Sequence, residues 1–323
     1  MKNKKLDRNL ALEAVRVTES AALSSSLLMG RGDEKAADQS AVNAMRYELN
    51  NLAIEGTVVI GEGERDKAPM LYIGEKVGAG GPKVDIALDP LEGTTITAKG
   101  GENALSVLAM AEDNCFLHSP DVYMYKVAIG KKFENFDLRI ETDPKDLIYK
   151  LCEYSNVEAK NLVVCILDRP RHTDLIKSIR NTGARIKLIS DGDVSAIIAT
   201  TIEDSGVDLY IGSGGAPEGV LAAAALRCLG GKMLGKLMLQ TDDEKNRATK
   251  SGISNFNKIY TTNELASGDV MFAATGVTDG TLLKGVRISN NKAKTHSIVM
   301  RSKTKTIRFV EAEHDIRIKP IIK

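Results

Sequence analysis

The stretch that most constrains this chain is Val84-Asp85-Ile86-Ala87-Leu88-Asp89-Pro90-Leu91-Glu92-Gly93-Thr94. Its first half is apolar and alternating, which reads as a buried strand. Asp89-Pro90 is expected to break the ladder, because proline has no N–H to give a central strand. Asp89 and Glu92 then fall just past the strand end, followed by a glycine and a hydroxyl, at the edge where ligands collect in open α/β sheets. Close carboxylates raise each other's pKa unless a cation neutralises them, and oxygen-only ligands favour hard ions such as Mg²⁺, Ca²⁺ or Mn²⁺. The stretch reads as a divalent-metal site, with a capped turn before a helix as the competing reading.

A chain of 323 residues can bury a large core and is long enough for two domains or one two-part domain. With a formal net charge of +1, no global field draws it to nucleic acid or to a membrane surface. No apolar run approaches the ~18 residues that a membrane span needs. Cys115, Cys152, Cys165 and Cys228 are scattered and form no CxxC pair, which suggests a reducing compartment and no zinc site. Glu13, Arg16 and Glu19 interrupt any signal core behind the basic N-terminus, so a cytoplasmic location is expected. The segment from Lys292 to Lys323 is locally basic but alternates like strands, so Arg301, Lys303, Lys305, Arg308, Arg317, Lys319 and Lys323 are expected on a solvated face.

Along the chain, helical spacing predicts a helix from about Asn9 to Met29, ended by Gly30-Arg31-Gly32, and a second from about Asp38 to Leu52. Asp38 near that helix start reads, from the residues alone, as an N-cap. Gly56 to Gly61 is a strand followed directly by Glu62-Gly63-Glu64-Arg65-Asp66, which repeats the pattern of acids at a strand end. Asn103 to Met110 reads as another strand, and Tyr123 and Tyr125 share one face of the next extended segment. Residues 133–146 are polar and turn-rich, which places a sub-domain boundary near 140–160. Three strand–loop–helix units follow, with loops at Asp168-Arg169-Pro170-Arg171-His172, Asp191-Gly192-Asp193 and Gly212 to Gly219. They imply a parallel sheet whose loops share one edge and bring Arg169, Arg171, Asp191, Asp193 and Glu218 together.

Oxygen-ligand acids beside phosphate donors point to phosphoryl chemistry. Arg169 and Arg171 can present guanidinium forks to phosphate, and a glycine-rich loop that opens a helix suits an anion. Asp191 and Asp193 can accept hydrogen bonds from polyol hydroxyls. Two near-matches to nucleotide motifs fail: Gly212 to Pro217 lacks the third glycine, and Gly230 to Leu237 lacks the Ser or Thr that would hold Mg²⁺.

Taken together, the chain resembles the class II fructose-1,6-bisphosphatases, the GlpX-type bacterial enzymes. The resemblance rests on Arg16-Val17-Thr18-Glu19-Ser20-Ala21-Ala22, Gly30-Arg31-Gly32-Asp33, Gly61-Glu62-Gly63-Glu64 and Ala68-Pro69-Met70-Leu71-Tyr72. It continues with Asp89 to Thr94, Pro120-Asp121-Val122-Tyr123-Met124, Arg169-Pro170-Arg171-His172, Asp191-Gly192-Asp193 and Gly214 to Gly219. These motifs run in the family's order over nearly the whole chain. Two positions depart from the pattern: Glu34 stands where relatives often carry lysine, and Arg169 replaces the common lysine before Pro170.

The resemblance implies the layered α-β-α-β-α sugar-phosphatase fold shared with inositol monophosphatases, here as two α/β sub-domains with the active site between them. Its expected parts are a metal-site half over residues 1–155 and a half with substrate loops over 156–323. It implies metal ligands at Asp38, Glu62, Asp89, Glu92 and Glu218, which makes Asp38 a ligand instead of a cap. It implies substrate contacts from Glu92-Gly93-Thr94, Tyr123, Arg169-Pro170-Arg171, Asp191-Gly192-Asp193 and Gly215. Thr94, with Asp38 and Glu62, is expected to take the catalytic part, orienting a metal-polarised water. The expected reaction is hydrolysis of the 1-phosphate of fructose 1,6-bisphosphate in gluconeogenesis with Mn²⁺ or Mg²⁺, by a homo-oligomer (dimer or tetramer). Another sugar or inositol phosphate, such as sedoheptulose 1,7-bisphosphate, is the alternative substrate.

Overall fold

The computed structural model describes residues 7–63 and 71–318. Glu64, Arg65, Asp66 and Ala68-Pro69-Met70 of the sequence motifs, with Lys319 and Lys323, lie outside them. The chain divides into two compact units, one of residues 1–118 and 266–323 and the other of residues 119–265. This division falls elsewhere than the expected boundary near 155, because residues 123–129 form a strand in the middle of the second unit's sheet.

Unit 1 opens with α1 (Leu10–Ser26) and α2 (Glu34–Asn50). α1 is buried on nearly every side, Thr18, Glu19 and Ser20 included, although Leu12 is exposed. α2 buries Ala37, Ala41, Val42, Met45 and Leu49, which recur at helical spacing. Its N-cap is Asp33, whose side chain accepts from the Ala36 N–H at 3.0 Å. The N-cap reading of Asp38 is therefore corrected, since Asp38 lies one turn inside the helix.

Strands β1 (Glu55–Ile60), β2 (Lys76–Val77), β3 (Lys83–Glu92) and β4 (Leu105–Glu112) follow, with α3 (Thr94–Lys99) between the last two. β3 pairs parallel with β1 and antiparallel with β4. Asp89-Pro90 does not end β3. Asp89 pairs with Val107 and Glu92 with Leu105, so three steps on β3 span two on β4. Pro90 sits in that bulge, where no ladder N–H is required, and β1 has already ended opposite Ala87.

Unit 2 holds β5 (Tyr123–Ile129), α4 (Pro144–Ser155), β6 (Val163–Leu167), α5 (Thr173–Arg180), β7 (Arg185–Ile189) and α6 (Asp193–Ala199). It continues with β8 (Leu209–Gly215), α7 (Ala216–Leu229), β9 (Lys232–Met238), α8 (Asp242–Lys250), β10 (Ile259–Thr261) and the short α9 (Thr262–Leu265). The sheet order is β10-β9-β5-β8-β6-β7. β7, β6 and β8 are parallel, as the strand–loop–helix pattern predicts, but β5, β9 and β10 run antiparallel and make the sheet mixed. Residues 133–146 are less polar in role than expected, because Phe133, Phe136 and Ile140 join the core of this unit.

The chain then returns to unit 1 as β11 (Met271–Gly276), β12 (Arg287–Ser289), β13 (Lys292–Arg301) and β14 (Thr306–Asp315). β11 inserts antiparallel between β4 and β13, giving the order β12-β13-β11-β4-β3-β1-β2, with β14 on β13. Of the basic residues expected on a solvated face, Arg301 is buried, while Lys303 is ion-paired to Asp269.

The Asp33 cap gives a direct test. Asp33→Ala removes the acceptor for the Ala36 N–H and is expected to lower the stability of the protein by about 1 kcal/mol in urea denaturation. An unchanged midpoint would show that the cap contributes nothing.

Candidate active site

The acids of unit 1 gather through strand geometry. Ile60 of β1 is the partner of Ala87 in β3, so Glu62 and Asp89 each lie two residues further on, at one edge of a parallel pair. Glu92 closes β3 and is buried. Gly93 follows with φ +90°, a left-handed conformation that an L side chain rarely adopts, and delivers Thr94 as the first residue of α3. Asp38 is on α2, which packs against both β3 and α3. Burial alone pushes the Asp38 carboxyl above its usual range. Asp89 Oδ1 accepts from the Leu91 N–H at 3.0 Å, which fixes the carboxylate within the bulge. Among the described residues, Thr94 makes no hydrogen bond to Asp38.

In unit 2 the turns after β6 and β7 and the direct β8–α7 junction share one edge of the parallel strands, and two groups of side chains form. The first is centred on Arg171. Its Nε and Nη2 donate to the Ser213 carbonyl at 3.2 and 2.7 Å, and its guanidinium carbon lies 4.7 Å from the centre of the Tyr123 ring. Tyr123 is 49% exposed, so the stacked pair faces solvent while Ser213 anchors it. Ser213 is in turn held by His172, whose Nε2 accepts from the Ser213 N–H at 2.9 Å while Nδ1 lies 2.8 Å from the Leu167 carbonyl. Because Nε2 accepts, the imidazole is neutral with its proton on Nδ1, in accord with the lowering of its pKa by burial and by the two neighbouring arginines. His172 is thus a strut for Arg171. Arg169 is half-buried, and Pro170 opens a short 3₁₀ turn behind it.

The second group surrounds Asp193. Gly192, at φ +87°, turns the chain so that Asp193 begins α6 with its side chain buried. Lys126, fully buried in the middle of β5, is ion-paired to Asp193 Oδ2 and donates to the Gly215 carbonyl at 2.9 Å. The Tyr210 hydroxyl lies 3.3 Å from the same carboxylate oxygen. Glu218, in the first turn of α7, has an Oε2 that is buried without a hydrogen-bond partner. Burial first, then the Asp193 charge, pushes its carboxyl up to about 7, and Lys126 opposes that rise. Asp191 is half-buried at the end of β7.

The glycine-rich run is not the loop its composition suggests. Gly212 to Gly215 belong to β8, paired along β5 from Lys126 to Tyr123. A Cβ on Gly214 would meet Asp193 Oδ2 at 2.1 Å, and one on Gly215 would meet Glu218 Oε2 at 1.8 Å. The glycines thus make room for charged side chains packed on the strand. Lys126, Tyr210 and Ser213 escaped the sequence reading. The one available signal was a lysine inside the apolar run Tyr123 to Ile129.

The donor set is all oxygen. Among the described residues, no three His, Cys, Asp or Glu side chains already close around one point. The half-buried Asp38 and the orphaned Glu218 oxygen nevertheless have the chemistry of carboxylates that await a cation, and hard divalent ions suit them.

Residues 8–314 match the family described as bacterial fructose-1,6-bisphosphatase, glpX-encoded. The chain is similar to a D-fructose 1,6-bisphosphatase class 2/sedoheptulose 1,7-bisphosphatase of Synechococcus sp. (strain JA-3-3Ab), with 41% identity over 335 aligned positions and 96% of each chain covered. It is equally similar to a protein of the same description from Microcystis aeruginosa (strain NIES-843 / IAM M-2473), at 41% identity over 96% of this chain and 97% of that one. A solved structure, an extragenic suppressor from Pyrococcus furiosus, shows 12% identity and a TM-score of 0.30 over 59% of this chain and 69% of that one.

The raised Glu218 carboxyl sets a pH dependence for the metal-free protein. Below its ordinary value of 4.5 the acid is protonated in both folded and unfolded states. As pH rises from there to about 7, the unfolded chain loses that proton first, so stability falls. Glu218→Gln keeps the neutral form, so the variant should gain on wild type by at least about 1 kcal/mol between about pH 5 and about pH 8 in chelator. A difference that stays constant with pH would refute it.

Proposed function

This chain belongs to the glpX-encoded bacterial fructose-1,6-bisphosphatase family, and we propose that it hydrolyses a sugar bisphosphate with a divalent ion, its acids holding the metal and directing water while its arginines and polar turns recognise phosphate and sugar. The family's reaction is hydrolysis of a phosphoric monoester, with fructose 1,6-bisphosphate giving fructose 6-phosphate and phosphate. Sedoheptulose 1,7-bisphosphate, the second substrate in the relatives' names, is an equal candidate. The observation that carries the reading is the family match over residues 8–314, which spans both sets of side chains.

Asp38, Glu62, Asp89 and Glu92, with Glu218, would hold the divalent ion, Mn²⁺ or Mg²⁺. When bound, such an ion lowers the pKa of water and offsets the negative charge of the phosphate oxygens. Thr94 offers a hydroxyl at the start of α3 to orient the attacking water. Asp38 and Glu62 are assigned to fix that hydroxyl and to receive the proton that the attacking water gives up. Arg171 has spent its Nε–H and one Nη2–H on Ser213, so its Nη1 edge is left for a phosphate oxygen, with Arg169 beside it. Tyr123 limits how far that guanidinium can swing, because the ring lies under its face; Pro170 is assigned with the arginines to substrate contact. Asp191-Gly192-Asp193 and the Gly215 backbone are assigned to the sugar hydroxyls, and Glu92-Gly93-Thr94 to the phosphate being cleaved.

We place the reaction in gluconeogenesis and in the cytoplasm. Four free cysteines support a reducing location, and no helix among the described residues is long and apolar enough to cross a membrane.

Phosphate release from fructose 1,6-bisphosphate, measured with Mn²⁺, with Mg²⁺ and with chelator, tests the reading. Metal-dependent release is expected, and Asp89→Asn and Thr94→Ala should each lower kcat by about a hundredfold. Near-wild-type kcat in Thr94→Ala would remove that residue from the reaction, and release from no ester by folded protein would overturn the function. Sedoheptulose 1,7-bisphosphate and inositol 1-phosphate in parallel rank the substrates by kcat/KM.

A second expectation concerns the arginines. Replacing both Arg169 and Arg171 by alanine should raise KM for a bisphosphate by about tenfold or more, and for a monoester far less. Equal effects on the two substrates would count against a second phosphate bound there.

A further inference from the structure

Lys126 is set in a channel that the sequence keeps clear for it. Its pairing partners on both sides are glycines, Gly212 on β8 and Gly235 on β9. A Cβ on Gly214 would lie 3.0 Å from its Nζ, and one on Gly219 would lie 3.4 Å from its Cδ. Two glycines, Gly214 on β8 and Gly219 on α7, therefore leave room for one side chain, which has no exposure to water. A buried ion pair is seldom the most stable filling for such a space, since apolar residues of similar volume do as well or better. The charge calls for a reason other than packing.

The hydrogen bonds supply one. Asp193 Oδ2 takes both the Lys126 ammonium and the Tyr210 hydroxyl, while among the described residues Oδ1 accepts no hydrogen bond. A second donor of the ammonium holds the Gly215 carbonyl, the residue before α7. We propose that Lys126 is a positioning residue for sugar recognition: it clamps the turn after β7 to the end of β8, commits one Asp193 oxygen to the protein and keeps the other for a substrate hydroxyl. The inference rests on the assignment of Asp193 and Gly215 to the sugar. In a water-free setting an acceptor held in place discriminates strongly between a polyol that fills it and one that does not.

The test compares Lys126→Met, Asp193→Asn and the double variant, each checked for folding by urea denaturation, in steady-state hydrolysis of fructose 1,6-bisphosphate with Mn²⁺ or Mg²⁺. Lys126→Met should raise KM by about tenfold and change kcat by less than about threefold. Because the lysine acts through the aspartate, the double variant should have the KM of Asp193→Asn alone, not the product of the two effects. Lys126→Gln, which keeps a neutral donor in the channel, carries the test if the methionine variant does not fold, with the same direction expected. A wild-type KM in a folded Lys126 variant, or effects that multiply in the double variant, would overturn the inference while wild-type turnover leaves the function standing. A wild-type protein that hydrolyses no sugar bisphosphate would overturn the functional reading, and this inference with it.

Discussion

A lysine ammonium with no access to water must have its charge answered within hydrogen-bond reach, because an unpaired ion in the interior costs several kcal/mol or more. Lys126 meets that condition with Asp193 and the Gly215 carbonyl, and much of unit 2 follows from it. The lysine needs space beside its strand, hence Gly214 and Gly219 against its side chain. Its carboxylate partner must enter from the neighbouring loop, hence the left-handed turn at Gly192 that starts α6 with a buried acid. Tyr210 adds its hydroxyl from β8. The Arg171 group lies at the end of the same strand, where Ser213 links the guanidinium to His172 and to the end of β6.

A good deal of this was legible from residue order. The strand–loop–helix alternation after residue 160 gave three parallel strands with loops at one edge, because apolar runs ending in polar, glycine-bearing turns leave few other options. The acid pairs after β1 and at the end of β3 were equally plain. The resemblance added what periodicity could not, the grouping of distant acids into one chemical set.

Other features were hidden for identifiable reasons. Glycines carry no sign of whether they make a loop or clear a channel, so Gly212 to Gly215 read as a loop until Lys126 and Asp193 were seen to need the space. Asp89-Pro90 looked like a strand end because a missing N–H is local, whereas the bulge that tolerates it depends on β4. Two aspartates, Asp33 and Asp38, could equally have capped α2, and only the backbone of Asp33, extended at φ -107°, decides between them. Lys126 is the clearest case. A single lysine in an apolar run says that something must pair with it, but its partner is 67 residues away.

The discontinuity of unit 1 has a bearing on how the chain is made. Residues 119–265 are one uninterrupted piece, so unit 2 has all its strands as soon as that piece has left the ribosome. Unit 1 does not. Its β4 stays an unpaired edge until β11 arrives, and the residues that separate the two are the whole of unit 2. The N-terminal helices and first strands, although synthesised first, must wait with exposed apolar faces for the last part of the chain. An early-folded unit 2 shortens that wait in effect, because it brings residues 118 and 266 to fixed ends in place of a long floppy loop. Premature termination after residue 270 would therefore leave unit 2 with all its strands and strand the acid-bearing sheet without β11, β13 and β14.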